Sequence, residues 1–292
     1  MRVLVLTDTH GQLDKINQFA DLYHADACIH CGDIGLFDSA SVRNMPAREL
    51  AKMIRHAPSL TEDEKAQYSV LPQAELAELI LQRGISGSFE EYLTGKKRFE
   101  IPVYAVWGNH EAVRIIDRLR AEPLHNLTFL DEKTSVLLEG VRLYGLGGMF
   151  NEKNLLMHKN SGIAWVQSQV KSTLWQYADL TEMLDSFPSD ETRIQITHCD
   201  PMALRTSFLE AFACRCGASL SFSGHMHRPE TQHTSSLCGN AYKTLQRYAD
   251  QYPSPLWKKL LKPCPAKVME HVNLSPAHPL IVEISGTTYK IQ

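Results

Sequence analysis

Residues 104–113 read YAVWGNHEAV. An apolar run with strand character stops at Gly108-Asn109-His110-Glu111, four residues that neither prolong a strand nor make an ordinary tight turn. The stretch brings an amide and an imidazole, side by side, to a strand end. Four other strand-like runs finish the same way. Residues 2–7 lead into Asp8-Thr9-His10, and residues 27–31 into Gly32-Asp33. Residues 193–197 lead into His198, and residues 219–223 into Gly224-His225-Met226-His227. Ligand sites of α/β folds form outside the carboxyl ends of strands. Asp8 and His10 are two residues apart, as are His225 and His227, and in extended chain that spacing points both side chains to one face. The glycines before Asp33, Asn109 and His225 permit a sharp exit from each strand. Imidazole, carboxylate and amide oxygen without thiolate suit borderline or hard divalent ions. One Asp-x-His, or one buried histidine, is ordinarily a turn or a satisfied core residue. Five such ends in one chain make coincidence the poorer account.

The rest of the chain supplies the frame. Residues 13–22 carry apolar positions at helical period. Residues 46–91, rich in Ala, Leu, Glu, Gln and Arg, are expected to form a helical insertion or cap of two to four helices, with a capped start at Thr61-Glu62-Asp63-Glu64. Residues 135–138 and 141–145 are expected to pair across Glu139-Gly140, and residues 281–284 and 287–291 across Ser285-Gly286. Residues 240–261 read as an amphipathic helix broken by Pro263 and Pro265. The expected organisation is a single domain over residues 1–292, with the insertion inside it.

The 292 residues and 43% hydrophobic content support a sizeable core. A net charge of -3 gives no overall basic surface for nucleic acid. The apolar run at residues 3–6 is too short for a signal-peptide core, and no segment approaches the ~20 apolar residues of a membrane span. With seven cysteines, an odd number, the chain reads as a reduced, cytoplasmic protein without a membrane partner. Cys28 and Cys31 lie in an apolar run rather than at a helix start, so they read as buried thiols rather than a redox or zinc pair. Cys214 and Cys216 also read as ordinary thiols. Tyr104, Trp107, Met149 and Phe150 read as core before they read as platforms or walls for a ligand.

In their order, Asp8/His10, Gly32-Asp33, Asn109-His110-Glu111, His198 and His225/His227 resemble the calcineurin-like metallophosphoesterase superfamily. Its pattern is DxH, GDxx, GNH(D/E), a lone His and GHxH. The likeness covers residues 1 to about 228 and leaves the insertion and residues 229–279 as family-atypical. It implies an α/β (α+β) fold, a four-layer α/β/β/α sandwich of two facing mixed sheets. It implies two divalent metal ions, Mn first and Fe, Zn or Co also compatible. One would sit on Asp8, His10, Asp33 and His227. The other would sit on Asp33, Asn109, His198 and His225, with Asp33 bridging through one oxygen per ion. Two such ions against two carboxylates leave net positive charge, which suits a phosphate and its transition state. His110 is then expected to hold the phosphoryl group or protonate the leaving oxygen, at a catalytic centre shared with Asp33 and Asn109. Glu111 is a candidate to orient His110, and Asp200 in THCDP a candidate behind the ligands. The implied activity is hydrolysis of a phosphodiester by metal-activated water.

The segments THGQLDKI, HCGD, FEEYLTG, GNHEA and GVRLYGLGGMF further resemble RNA lariat debranching enzymes. The chain departs from them in three places. Asp8 stands where they carry Cys, their Trp after the second-metal histidine is absent, and the sequence after Phe150 does not match. The expected substrate is RNA, a nucleotide or another phosphoester. Lys96-Lys97-Arg98 is the candidate contact to a nucleic-acid backbone, weighed against a solvated surface run. Two other readings compete. A phosphomonoesterase acting on protein or nucleotide is one; Gly32-Asp33-Ile34-Gly35 lacks the Asp-Arg-Gly of protein phosphatases. A non-catalytic scaffold of the same fold is the other, and the complete ligand set counts against it.

Overall fold

Strand β1 (Arg2–Leu6) alternates between two cores. Val3 and Val5 enter one buried cluster, Leu4 and Leu6 another, as a period of two requires of a strand covered on both faces. The computed structural model describes residues 1–131, 133–150, 163–167, 172–187, 191–201, 207–237, 245–246, 255–262, 267–276 and 278–292. After β1 come α1 (Asp14–Tyr23) and β2 (Ala27–Cys31). Five short helices follow: α2 (Ser39–Arg43), α3 (Ala47–His56), α4 (Glu62–Tyr68), α5 (Gln73–Gln82) and α6 (Phe89–Leu93). The chain then runs through β3 (Val103–Val106), α7 (Val113–Ala121), β4 (Leu127–Phe129), β5 (Ser135–Leu138) and β6 (Val141–Leu146). Next are β7 (Met149–Phe150), β8 (Ile163–Gln167), β9 (Ser172–Gln176), a helix at Tyr177–Ser186 and β10 (Thr192–Thr197). A helix at Ser207–Arg215, β11 (Leu220–Ser223), β12 (Gln232–Leu237), a helix at Pro255–Leu260, β13 (Val268–Asn273), β14 (Leu280–Ser285) and β15 (Thr288–Ile291) complete it.

The first sheet has the order β15-β14-β1-β2-β3-β4, and the second β12-β13-β11-β10-β6-β5. Strands β1 to β4 are parallel, with β14 antiparallel to β1. In the second sheet β6, β10, β11 and β13 are parallel, flanked by antiparallel β5 and β12. Val3, Val5, Ile29 and Val106 of the first sheet share one buried cluster with Leu143, Ile196 and Phe222 of the second. The two sheets therefore face each other. The opposite face of the first sheet, Leu4, Cys28 and Ala105, packs on Ile16 of α1 and Ile115 and Leu119 of α7. Tyr144 of the second sheet packs beside Phe212 of the helix Ser207–Arg215, ring centroids 6.5 Å apart. Helices thus cover both outer faces, giving the α/β/β/α sandwich.

Helices α2 to α5 bury a cluster of their own, including Val42, Leu50, Ile54, Leu76 and Ile80. A capping box between Thr61 and Glu64 starts α4. Arg114 of α7 pairs with Asp38, the residue that caps α2, and donates to Ser41 Oγ at 2.7 Å. The helical segment is thereby fastened to the helix that follows the GNHE turn.

Several elements differ from expectation. Strands β12 and β13 extend the second sheet from a stretch whose sequence suggested none. QHTSSL and VMEHVN lack the apolar alternation that marks a strand; neighbouring strands rather than propensity fix them. Of the helix expected over residues 240–261, the helix Pro255–Leu260 is present, and residues 240–244 and 247–254 lie outside the described residues. Cys28, Cys31, Cys199 and Cys216 are buried free thiols, and burial pushes the Cys28 and Cys31 thiols up, away from reactivity. Cys214 is not an ordinary thiol: it is disulfide-bonded. Spacing along the chain could not reveal a pairing made in space. Among the described residues no helix is long and apolar enough to cross a membrane.

Candidate metal centre

The carboxyl ends of β1, β2 and β3, neighbours in one sheet, meet those of β10 and β11, neighbours in the other. Asp8, His10, Asp33 and His227 bring one ligand atom each within 4.8 Å of one another, and so do Asp33, His198 and His225. Asp33 belongs to both groups. Asn109 joins the second, its Oδ1 lying 3.0 Å from His198 Nε2.

The backbone marks the same residues. Among the described residues, eight other than glycine have positive φ, and five of them are Asp8, His10, Asp33, His225 and His227. Left-handed backbone costs an L residue roughly 1–2 kcal/mol, and persists where the surroundings over-determine it. The two-residue spacings therefore converge through left-handed turns, not through the extended chain that the sequence suggested. Glycine is required beside them. A Cβ on Gly108 would stand 2.0 Å from Asp33 Oδ1, and one on Gly224 1.8 Å from Thr7 Oγ1.

Each carboxylate is anchored by one oxygen and presents the other. Asp8 Oδ2 accepts from Thr7 Oγ1 at 2.6 Å and from the His225 N–H at 3.1 Å. Asp33 Oδ1 accepts the His110 N–H at 2.9 Å. Asp8 Oδ1 and Asp33 Oδ2 are buried without a hydrogen-bond partner. His227 Nε2 lies 3.2 Å from Asp8 Oδ1, and His198 Nε2 3.4 Å from Asp33 Oδ2, close enough for charge attraction but not aligned for a bond. Asp33 Oδ1 thus accepts one backbone N–H, while Oδ2 is left facing the cluster.

The donor set fits divalent cations. His198 Nδ1 donates to the Cys31 carbonyl at 2.9 Å, so a neutral ring turns the Nε2 lone pair toward Asn109 Oδ1 and Asp33 Oδ2. His10 Nε2 and His227 Nε2 face each other at 3.2 Å. Electron-rich atoms so arranged repel unless a cation stands among them. Protons fill that role here. Burial alone pulls the His198 ring down, yet the Asp33 charge raises it to about 10. Burial alone pushes Asp33 up, yet His198, His110 and His10 hold it well below the usual carboxylate range. Burial lowers His225 to about 4, leaving it a neutral donor, the form a metal takes.

His110 lies beside this centre. Its Nε2 is 3.7 Å from Asp33 Oδ2, and its Nδ1 is 3.7 Å from Glu49 Oε2. Burial lowers the ring to about 4, against the pull of Asp33, so it is neutral at pH 7. Glu111 is fully buried and accepts from the N–H groups of Gly35 at 3.0 Å and Gly108 at 2.6 Å. Both its oxygens tie the Asp33 loop to the GNHE turn. Asp200 is buried at the end of the turn that follows His198. Lys96 pairs with Glu91, and Lys97 with both Asp14 and Glu91. That run does not line the cavity beside the centre.

The model of the calcineurin-like phosphoesterase family matches residues 1–229, which is most of the chain. The chain belongs to the calcineurin-like phosphoesterase family. None of the curated proteins matches it. One solved structure is 12% identical, with 100% of this chain and 98% of the other covered, at a TM-score of 0.48. The calcineurin-like phosphoesterase YfkN from Bacillus subtilis is also 12% identical, with 100% and 87% covered, at a TM-score of 0.40. Values this low leave the assignment resting on the family match and the site.

The phosphoesterase site has a wall that the motifs did not announce. Glu49, Lys52 and Met53 of α3 line the same cavity as Asp8, His10, Asn109 and His110. Glu49 is buried, its Oε2 has no hydrogen-bond partner, and its Oε1 lies 3.4 Å from Lys52 Nζ. It faces the second ring nitrogen of His110, a task the sequence reading gave to Glu111. A lone acid on a helix gives no signal that separates it from a solvated one. Glu49→Gln is expected to lower kcat roughly tenfold, as loss of a supporting partner does, with KM and bound metal unchanged. Steady-state kinetics beside metal analysis check this; loss of metal in step with rate would contradict the assignment.

Proposed function

We propose that this phosphoesterase hydrolyses a phosphodiester at a binuclear centre held by Asp8, His10, Asp33, Asn109, His198, His225 and His227. The observation that carries the reading is the sharing of Asp33 between two ligand groups, with Oδ2 buried and unpartnered. Two divalent ions bound there, Mn first and Fe, Zn or Co compatible, would supply positive charge for the phosphate and lower the pKa of attacking water.

The chain's own groups then have definite tasks. Asn109 and His198 present an amide oxygen and an imidazole from opposite sheets. Burial works against the ionised forms of Asp8 and Asp33, but the neighbouring histidines, with one protein-held oxygen each, keep both charged. His110 is neutral when the site is empty of substrate, its one ring proton on Nδ1 toward Glu49, so it can donate to the phosphoryl group only once Nε2 is protonated as well. An arriving phosphate places negative charge beside the ring and raises its pKa, which favours proton delivery to the leaving oxygen. Glu49 is placed to choose the tautomer, by taking the proton on Nδ1.

RNA or a nucleotide is the substrate within this proposal, supported by the debranching-like segments around the GNHE strand. Contact through Lys96 or Lys97 requires breaking their pairs with Glu91 and Asp14. A reducing, cytoplasmic setting fits the four buried free thiols, and the Cys214 disulfide argues against it; counting thiols without reductant in cell extract decides. The test of the function compares a 2′-5′ branched RNA, a linear RNA, a nucleotide monoester and a phosphoserine peptide with Mn²⁺ and with chelator. Diester cleavage at least equal to monoester cleavage, abolished by chelation, is the expected result. Preference for the peptide, or full activity without metal, overturns the reading.

A further inference from the structure

One cavity of about 480 Å³ joins the metal centre to the helical segment. Its floor is the ligand cluster with His110. Its wall includes Phe19 of α1, Phe37, Met45, Met53 and Ile85. Four of these five come from the helical segment or the loops at its ends.

Helix α3 explains how such a wall arises. Leu50 and Ile54 are buried in the segment's own core. Glu49, Lys52, Met53 and His56, spaced i, i+3, i+4 and i+7, all line the cavity. A helix packed only for stability would give that second face to water. Here it roofs a cavity, and the partly buried Met53, also packed against the segment's core, sits between charged neighbours. Lys52 and Glu49 lie 3.4 Å apart, so the roof carries little net charge.

We propose that this wall is a binding pocket for a flat aromatic group, of nucleobase size, carried by the phosphoester substrate. It rests on the phosphoesterase reading for the phosphate end. The volume lies within the ~300–1,000 Å³ of small-molecule sites. Methionine thioethers and phenyl rings pack well on aromatic faces. Gln12, Lys15 and Ser59 also line the cavity and can serve a sugar, while the five apolar side chains suit the face of a base.

The test is calorimetric titration of the full chain with adenosine 5′-monophosphate, ribose 5-phosphate and inorganic phosphate, each with and without Mn²⁺. The nucleotide is expected to bind at least about tenfold more tightly than ribose 5-phosphate, the scale of one aromatic contact. Met53→Trp, which fills the pocket, is expected to erase that advantage and leave inorganic phosphate binding unchanged. Met53→Ala, which removes a partner from a half-buried position, is expected to reduce the advantage several-fold and serves if the bulky variant does not fold. Equal binding of nucleotide and ribose 5-phosphate, or an advantage that survives in a folded variant, overturns the pocket. Phosphate binding indifferent to Mn²⁺ overturns the metal centre instead, and the nucleotide-to-ribose contrast still decides the pocket.

Discussion

Asp33→Asn is expected to empty the centre of metal and to abolish turnover. The side chain is fully buried and is the only one in both ligand groups. Asparagine has the same shape, tolerates left-handed backbone, and keeps an oxygen for the His110 N–H that now bonds Asp33 Oδ1. The substitution therefore changes charge and leaves the fold intact. What remains around the shared position is imidazole, amide and the single carboxylate of Asp8. Two divalent cations then face one negative charge in a buried site, which disfavours both strongly. Metal analysis should fall from about two ions per chain to well below one, with rate reduced by ~10³ or more. Circular dichroism should be unchanged. A variant that kept both ions and full rate would refute the shared-carboxylate assignment.

His110→Ala should separate chemistry from metal. No ligand group contains His110, and its backbone N–H, the part that anchors Asp33, survives the change. Both ions should remain. The rate should drop by ~10²–10⁴, the span for a positioned proton donor. The drop should shrink with a substrate whose leaving oxygen is already a weak base, such as a nitrophenolate, because that oxygen needs little protonation. A uniform loss across leaving groups would instead assign His110 to holding the phosphoryl group alone. Loss of a metal would make it a ligand.

The cluster of candidate ligands was legible because each member is announced locally: an apolar run, often a glycine, then a carboxylate, amide or imidazole. Those signals survive in sequence because strand ends and close approaches permit few residue types. Gly108 and Gly224 illustrate this, since any larger residue would collide with Asp33 or Thr7. The left-handed backbone was not legible, because Asp and His are tolerated in it without being diagnostic of it. Glu49 was invisible for a different reason. Its partner His110 lies 61 residues away, and nothing in ARELAKMIRH separates a buried acid from a solvated one. Strands β12 and β13 were missed because their order comes from the sheet they join. Glu111 was noticed, but adjacency to His110 suggested the wrong partner; its oxygens reach Gly35 and Gly108 instead.

Helix α3 has a consequence for how such a protein can change. Glu49 and Met53 are one turn apart on a single rigid element, one facing His110 and the other walling the cavity. A shift of that helix to admit a bulkier substrate moves the acid by the same distance as the wall. Selection for a new substrate in the laboratory should therefore begin with variants that lose rate, and recover it only through a second change near residue 49. Divergence of this chain's preferences would proceed by paired substitutions, and its history would carry epistasis between the roof of the pocket and the residue behind the imidazole.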